Sequence, residues 1–224
     1  MKIGLVFLLL ITSLVSDCRK QSRAELKQEN SNRVAEMQEV YSTKRQFGDL
    51  EVFFKAKIIP KGVRDGINYA NDNVYIDYEI KNSGGRSFVV FNRGHLGFDE
   101  TSNAVYVEPQ PDGSVEISQK AFVEPKNKRC PLRLIPIVPR GSLLKAKQTI
   151  AEQLNFELPL KLKTPYADCS PRLEMPTKVT ETKFCLGVAE IDVKQVQLDA
   201  DGLVQSSSLF SKQNLLCTDV IKLK

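Results

Sequence analysis

The sequence predicts an all-β protein in which antiparallel strands form a sandwich or a barrel. Apolar and polar residues alternate with a period of two in most segments after Gly48, as in strands with one buried face. Turn-forming residues recur about every ten residues, and no internal segment shows convincing helical periodicity. Many short strands joined by turns at this spacing are typical of sandwiches and barrels.

The composition is that of a globular protein with its own hydrophobic core. Of the 224 residues, 42% are apolar and 26% are charged, and the formal net charge is +5. Lys and Arg are scattered along the chain and form no concentrated basic stripe, so no nucleic-acid partner is predicted. Residues 48–224 are long enough to bury a core, and we predict a single β-sandwich domain there.

Residues 1–17 are predicted to be a signal peptide. Lys2 supplies a positive start, and an apolar run of about thirteen residues follows, from Ile3 to Val15. This run has the usual length of the apolar region of a signal peptide and is too short to span a bilayer comfortably. The chain is therefore expected to be exported.

Cys18 is the candidate site of lipid attachment. The segment LVSDC, which ends at Cys18, resembles the start of bacterial lipoproteins, where the Cys is lipidated and becomes the first residue of the mature chain. Asp17 departs from that pattern, because the residue before the Cys is normally Gly, Ala or Ser. Two alternatives stay open, namely ordinary signal-peptidase cleavage after Ala24 and a Cys18 that is an unmodified thiol.

The resemblance to lipoproteins implies a membrane partner and a location. Several acyl chains on Cys18 would bind a membrane far more stably than one chain does. Arg19 and Lys20 follow, and neither is the Asp that resembles an inner-membrane retention signal. The expected location is therefore the bacterial periplasm, with the lipid in the outer membrane.

Residues 18–47 are predicted to be a polar tether between the lipid and the domain. The stretch RKQSRAELKQENSNR has almost no apolar residue, which suits a solvated spacer. Val34, Met37 and Tyr41 lie three and four residues apart, a helical spacing, so the tether is predicted to be partly helical.

Five strands are predicted in the first half of the domain. DLEVFFKAKI and NVYIDYEIKN alternate strictly, and a loop rich in Gly, Asn and Asp separates them. The turn NSGG at 82–85 leads into RSFVVFNRG. The Pro and Asp-Gly of PQPDGS favour a chain reversal between NAVYVEPQ and SVEISQKAFV.

Prolines punctuate the second half of the domain. Pro131, Pro136 and Pro139 exclude a helix from PLRLIPIVPR and predict an edge strand or an extended loop. LLKAKQTIAE suits either a helix or a strand, and we predict a strand because both neighbours are extended and the segment is short. The last strands are predicted in ETKFCLGVAEIDVKQVQL, LVQSSSLF and NLLCTDVIKL, with a DADG turn at 199–202.

Two segments resemble bacterial immunoglobulin-like domains. NVYIDYEIKNSGGRSFVVF is similar to a strand–turn–strand in which an alternating strand ends in Asn before small residues. PRGSLLKAKQTIAEQLNFELPL is similar to their late pattern of turn, strand and terminal Pro. The resemblance implies an immunoglobulin-like antiparallel β-sandwich used for binding or adhesion, and it carries over no catalytic residue. The chain departs from antibody-type domains because it has no Trp.

The cysteines predict two disulfides. Without Cys18, four remain at Cys130, Cys169, Cys185 and Cys217, an even number in an exported protein. Their separations of 39, 16 and 32 positions match no metal-binding knuckle. Three connectivities are possible. We prefer Cys185 with Cys217, in the two strongest late strands, and Cys130 with Cys169, in Pro-rich loops.

No catalytic, cofactor-binding or metal-binding residue is predicted. His95 is the only histidine and has no G-x-S-x-G elbow, so we expect a loop residue whose imidazole bonds to backbone. Phosphate-binding glycine loops are absent from the sequence. The acidic turns near Asp65 and Asp199 lack the closing Glu of a calcium loop and are interpreted as Asx turns.

One set of arginines and aromatic residues suits either a binding face or an ordinary core. Aromatic residues that alternate along strands are core residues more often than ligand contacts. The set comprises Arg86, Arg93, Arg140, Phe88, Phe91, Phe98 and Tyr106.

The predicted function is that of an exported, lipid-anchored binding or structural module whose partner is an envelope protein or polymer. The alternative is an inhibitor or accessory factor of an envelope protease or hydrolase, and a carboxylate-dependent hydrolase ranks last. A rigid projecting loop with exposed apolar residues, such as 124–141, would favour the inhibitor or accessory factor. A concave electronegative pocket with two close carboxylates would favour the hydrolase.

Overall fold

The computed structural model describes residues 40–64, 66–99, 101, 104–122, 124–206 and 208–223. The predicted signal peptide, Cys18 and the predicted tether as far as residue 39 lie outside these residues. They therefore stay predictions.

Sixteen strands and two single-turn 3₁₀ helices make up the regular structure of the described residues. The strands are β1 Val40–Phe47, β2 Leu50–Ile59, β3 Gly62–Arg64, β4 Ile67–Tyr69, β5 Asn73–Asn82, β6 Ser87–Val90, β7 His95–Leu96, β8 Tyr106–Pro109, β9 Val115–Gln119, β10 Val138–Leu144, β11 Thr149–Glu157, β12 Glu181–Ile191, β13 Gln197–Leu198, β14 Val204–Gln205, β15 Asn214–Cys217 and β16 Ile221–Lys222. The 3₁₀ helices are Val193–Gln195 and Phe210–Lys212. In this part of the chain, no helix is both long and apolar enough to cross a bilayer.

The strands form two main sheets and confirm the predicted all-β sandwich. The smaller sheet has the order β1-β2-β5-β11, and the larger has the order β13-β14-β10-β6-β12-β9-β8. β7 joins the larger sheet on β10, while β15 and β16 join it on β12. The pairing is antiparallel except between β9 and β12, which run parallel. A separate hairpin consists of β3 and β4.

The main core lies between the two sheets and follows from the alternation in the sequence. The inward residues of β2 and β5 are almost fully buried, and they pack against inward residues of β6, β9 and β12. Phe54, Tyr78 and Phe184 form the aromatic centre, with ring centroids 5.9 to 6.4 Å apart. Each fully buried side chain of this size stabilises the fold by about 1.5–3 kcal/mol.

Strand β12 is buried on both faces. Its first half, Thr182–Leu186, pairs with β9, and Val188–Ile191 pairs with β6. Phe184, Leu186 and Val188 belong to the main core. Ala189 and Ile191 belong to a second apolar cluster, which β14 and the Phe210–Lys212 helix help to cover.

Residues 40–47 correct the predicted extent of the tether. They were expected to belong to a partly helical segment, but they form β1 and pair with β2 over their full length. Gly48, with φ of 57°, provides the left-handed turn that folds β1 back. Tyr41 and Phe47 pack against the core, so burial and eight paired positions outweigh the helical spacing of Tyr41 with Met37.

The structure contains two disulfides, in the same pairs that the sequence analysis prefers. Cys185 and Cys217 are opposite each other in the β12–β15 register. Cys130 and Cys169 join two loops that are 39 positions apart. The Cys130–Cys169 bridge closes a loop of 39 positions, and the Cys185–Cys217 bridge closes one of 32.

Candidate functional site

The candidate site is the loop of residues 124–141, whose tip is residues 131–136. Leu132 and Leu134 are 96% and 98% exposed, and Ile135 is 61% exposed. These are the two most exposed large apolar side chains among the described residues, with a third beside them. Single exposed apolar residues are normal on a protein surface, but three within four positions form a patch that indicates an interaction site.

A disulfide fixes the first end of the tip. Cys130 is bonded to Cys169, and Cys169 is fully buried. Next to it, Arg129 and Ser170 exchange backbone hydrogen bonds of 3.1 and 2.8 Å. The chain therefore enters the tip from a covalently fixed position.

Arg133 fixes the middle of the tip through bonds to the loop of residues 165–168. Its Nη2 donates to the carbonyl oxygen of Pro165 at 2.8 Å and to Asp168 Oδ1 at 2.6 Å. Its guanidinium carbon also lies 5.6 Å from the ring centroid of Tyr166, a cation–π distance. Because Arg133 is held by the body of the domain, Leu132 and Leu134 on either side of it are left in solvent.

The second end of the tip enters the sheet. Ile137 is buried, and β10 begins beside it, where Val138 and Pro139 pair with β7. Ile135 and Pro136 lie against Gly97, where an added Cβ would come within 3.0 Å of both. Gly97 therefore permits the close approach of the tip to the domain.

A cleft of about 420 Å³ lies beside the tip. Its walls include Leu132, Arg133, Ile137 and Tyr166, and Glu124 is its single carboxylate. The tip thus offers a projecting apolar ridge next to a shallow recess. Such an arrangement suits contact with another protein better than enclosure of a small molecule.

His95 bonds to backbone as expected, but it lies in strand β7 and not in a loop, because it pairs with Pro139 of β10. It is 1% exposed, its Nε2 accepts from the backbone N–H of Phe122 at 2.9 Å, and its Nδ1 lies 2.6 Å from the Tyr106 hydroxyl. Since Nε2 accepts, the neutral ring carries its proton on Nδ1. Burial lowers the pKa of His95 to about 4, against a smaller opposing effect of the Asp99 charge.

A polar network surrounds Glu152, a residue that the sequence pattern does not single out. Glu152 forms an ion pair with Arg93 and accepts from Asn92 Nδ2 at 2.7 Å. The Tyr78 hydroxyl lies 2.8 Å from Glu152 Oε2 and 3.0 Å from Gln119 Oε1. Burial first, and then the charge of Glu152, raises the pKa of Tyr78 well above its usual value, so the phenol stays protonated and donates.

One sequence signal could have revealed Glu152. The inward positions of β11 include Ile150 and Leu154, and Glu152 stands between them at the same period of two. A charged residue at an inward position requires partners. The network satisfies this carboxylate and ties the two sheets together.

At two places in the described residues, one cation binds two carboxylates. Lys120 Nζ lies 2.9 Å from Glu108 and 2.6 Å from Glu116. Arg140 lies 2.9 Å from Asp199 and 3.4 Å from Asp201. Neither pair lines one of the clefts described here. The arrangement therefore does not favour the carboxylate-dependent hydrolase.

In the acidic turns, the described Asp carboxylates accept hydrogen bonds from backbone N–H groups. These described residues form no metal site. Asp199 accepts from the backbone N–H groups of Asp201 and Leu203, at 3.0 and 2.9 Å. Such bonds, with Arg140, hold the pKa of Asp199 at about 2 although burial alone would raise it. Asp72 accepts from the Lys61 N–H, and Asp65 lies outside the described residues. Within the described ranges, no group of metal-ligating side chains is present.

A second cleft of about 420 Å³ lies at another place in the domain. Leu158, Leu160 and Val179 are among its apolar walls, and Lys61 and Lys178 are among its polar ones. Asp72 is the single carboxylate in its lining. A lone carboxylate that already caps a backbone N–H does not make a hydrolytic pair.

The arginines and aromatics weighed as a binding face are not assembled into one. Phe88, Phe91 and Tyr106 are buried, whereas Phe98 is partly exposed. Each of the three arginines binds a different acidic residue, namely Arg86 with Glu190, Arg93 with Glu152, and Arg140 with Asp199. The interpretation of these aromatics as core residues is confirmed for the three that are buried.

The chain matches no protein-family model, no curated protein and no solved structure. The resemblance to bacterial immunoglobulin-like domains therefore stays a prediction. Function is inferred from the geometry of the loop.

Proposed function

We propose that this protein is an exported binding module of the bacterial envelope, anchored through a lipid on Cys18, which binds a protein partner through the tip at residues 131–136. The two disulfides support a location in an oxidising compartment. The net charge of +5 is scattered and gives no support to a nucleic-acid partner.

The observation that carries this proposal is the nearly complete exposure of Leu132 and Leu134 on a loop with fixed ends. Exposing large aliphatic side chains to water is unfavourable, so burying them against a partner releases free energy. The disulfide at Cys130 and the bonds of Arg133 hold the tip in place before binding. Preorganisation of this kind reduces the entropy lost on association.

The same loop favours an inhibitor or accessory factor over a purely structural module. A projecting ridge is complementary to a cleft, and clefts are where proteases and hydrolases bind their substrates. A structural module with smooth polar faces would not need two Leu side chains in solvent. We therefore place an enzyme inhibitor or accessory factor first among the binding functions.

The test is capture of partners from envelope extracts by the immobilised full mature chain. We expect the double variant Leu132→Ser/Leu134→Ser to capture at least about tenfold less partner than wild type, because the tip provides the central apolar contact. The matched control is Val63→Ser/Ile67→Ser in the β3–β4 hairpin, where the side chains are 73% and 55% exposed. The control should capture as wild type does. Equal capture by the tip variant would contradict the proposal.

A further inference from the structure

We infer that the tip is the reactive loop of a peptidase inhibitor, in which Leu132 enters the primary specificity pocket of a peptidase that prefers Leu. The bond presented to the catalytic nucleophile is the peptide bond between Leu132 and Arg133. This inference rests on the proposed function, since it assumes that the tip contacts the partner.

The position of this bond follows from the anchors on its two sides. On the amino side of the bond, two residues before Leu132, Cys130 is bonded covalently to Cys169. Directly after the bond, Arg133 binds Asp168 and Pro165. Both new chain ends of a cut loop would therefore remain attached to one short segment, residues 165–170.

The neighbouring bonds are less suitable. Arg133 does not itself suit a specificity pocket, because its guanidinium is bound to Asp168 and lies beside Tyr166. After Leu134, the next anchors are Ile135 and Pro136, which only pack against Gly97. A cut at Leu134 would leave its new amino end without a hydrogen-bonded or covalent anchor of this kind.

The anchors determine whether the peptide bond is reformed after a peptidase attacks it. Its nucleophile adds to the Leu132 carbonyl carbon and expels the Arg133 nitrogen as an amine, and water then releases the acyl group as a carboxylate. In an ordinary substrate the amine diffuses away. Here Arg133 stays bound beside the acyl–enzyme. Its amine can therefore attack the acyl carbon before water does, which restores the peptide bond and expels the nucleophile of the enzyme, with no water added or lost. A tethered reactant of this kind has a high effective concentration.

Prolines at both ends of the tip support the same role. Pro131 precedes Leu132, and Pro136 closes the tip before the sheet. Each fixes φ near −65° and reduces the number of conformations open to the free loop. The loop thus loses little entropy when it enters an active-site cleft, which favours tight and slowly reversible binding.

The first experiment measures inhibition of three probe enzymes by the full mature chain. Subtilisin and chymotrypsin accept large apolar residues in the primary pocket, and trypsin requires Lys or Arg. We expect inhibition of subtilisin or chymotrypsin and none of trypsin. Leu132→Gly should weaken inhibition at least about tenfold through loss of the pocket contact, and Leu132→Arg should transfer inhibition to trypsin. Wild-type protein that inhibits neither apolar-specific enzyme would overturn the inference.

The second experiment tests the role of Asp168 as a positioning residue. In Asp168→Asn, Arg133 loses its ionic anchor, so the cut loop should separate and the variant should become a temporary inhibitor that is consumed as substrate. The matched control is Glu174→Gln, an exposed acidic residue that lies a few positions after the segment 165–170. Mass spectrometry of the Leu132–Arg133 bond over time should show more cleaved product for Asp168→Asn than for wild type or the control. Equal accumulation in all three would contradict the anchoring mechanism.

Failure of this inference and failure of the proposed function give different results. If Leu132→Ser/Leu134→Ser abolishes partner capture while wild type inhibits no probe, the tip binds a partner and the peptidase inference is wrong. If the same variant captures the partner as wild type does, the proposed function itself is wrong. Circular dichroism and the absence of free thiols at the four domain cysteines confirm folding of each variant.

Discussion

His95 shows how a lone titratable residue becomes part of a core. Its two ring nitrogens are occupied by the Phe122 N–H and the Tyr106 hydroxyl, and both aromatic rings pack on it, with centroids at 5.0 and 5.5 Å. Protonation would place a second donor opposite the Phe122 N–H. The folded state therefore selects the neutral imidazole.

His95 should make the stability of the protein depend on pH between about 6.5 and 4. In the unfolded chain its pKa is near 6.5, whereas burial lowers the pKa in the folded state to about 4. Below pH 6.5 the unfolded state binds a proton that the folded state does not, so stability falls as pH falls. Between pH 7 and pH 5, the free energy of unfolding should decrease by about 2 kcal/mol more in wild type than in His95→Gln.

Urea titrations at the two pH values measure this difference. The carboxylates titrate in both proteins, so their contribution cancels in the comparison. If wild type and His95→Gln lose the same stability on acidification, the neutral buried imidazole is not the source of the pH dependence.

Glu152 is a largely buried carboxylate that the fold tolerates because both of its oxygens have hydrogen-bond or ionic partners. Glu152→Gln would remove the negative charge that pairs with Arg93 and could place an amide donor where Glu152 Oε2 now accepts from the Tyr78 hydroxyl. We expect the free energy of unfolding to fall by about 1–3 kcal/mol, the cost of an unsatisfied buried partner. Equilibrium urea denaturation measures this.

The matched control for Glu152 is Glu79→Gln. Glu79 is exposed on β5, the strand that pairs with β11. A surface change of this kind should alter stability by no more than about 0.5 kcal/mol. Similar losses in the two variants would mean that the network is not what stabilises this region.

At the scale of elements, removal of either disulfide should lower stability, but removal of only one of them should weaken partner binding. Cys130→Ser/Cys169→Ser and Cys185→Ala/Cys217→Ala should each lower the free energy of unfolding by about 2–4 kcal/mol, since each opens a long loop in the unfolded chain. Only the first double variant removes an anchor of the tip. It should therefore weaken partner capture, whereas the second, in the β12–β15 pair, should leave capture unchanged.

Thermal unfolding and partner capture on the same preparations provide the measurement. Thiol titration of the non-reduced wild-type protein should find none of the four domain cysteines free. An equal loss of capture in both double variants would show that global stability, and not the anchoring of the tip, controls binding.

Strands β10 and β11 show where element prediction reaches its limit. The segment LLKAKQTIAE, predicted as a strand, contains the end of β10, a turn and the start of β11. Lys147, at a φ of 63°, lies in that turn. The prediction of one continuous strand is therefore wrong at this turn, and the local pattern does not reveal that β10 joins the larger sheet and β11 the smaller one.

At the scale of the whole molecule, we expect the lipid on Cys18 to determine where the domain works. Wild-type protein expressed with its leader should enter the detergent phase and show the added mass of the acyl groups at its N-terminus. Cys18→Ala should remain in the aqueous phase, since acyl chains supply the membrane affinity.

One result with Cys18→Ala would contradict anchoring at this residue. If the variant partitions as wild type does, the chain is not anchored at this residue. Cleavage after Ala24 would instead be seen as a mature chain that starts at Glu25. Partner capture by the soluble variant should be retained, because the tip is far along the chain from the anchor.

The sequence by itself determined the features that depend on neighbouring residues. The alternation of DLEVFFKAKI and NVYIDYEIKN predicts β2 and β5, because side chains of a strand point to opposite faces at each step. The prolines of the tip exclude a helix, since they remove donors and fix φ. The even number of domain cysteines, taken with the predicted export, indicates pairing.

Only the tertiary structure decided which distant residues meet. Glu152 reaches Arg93 across 59 positions, Arg133 reaches Asp168 across 35, and β9 pairs in parallel with β12. Hydrophobic burial is not directional, so alternation specifies which face of a strand is buried but not the strand that covers it. The exposure of Leu132 and Leu134 has the same origin, because it results from anchors supplied by a loop more than thirty residues away.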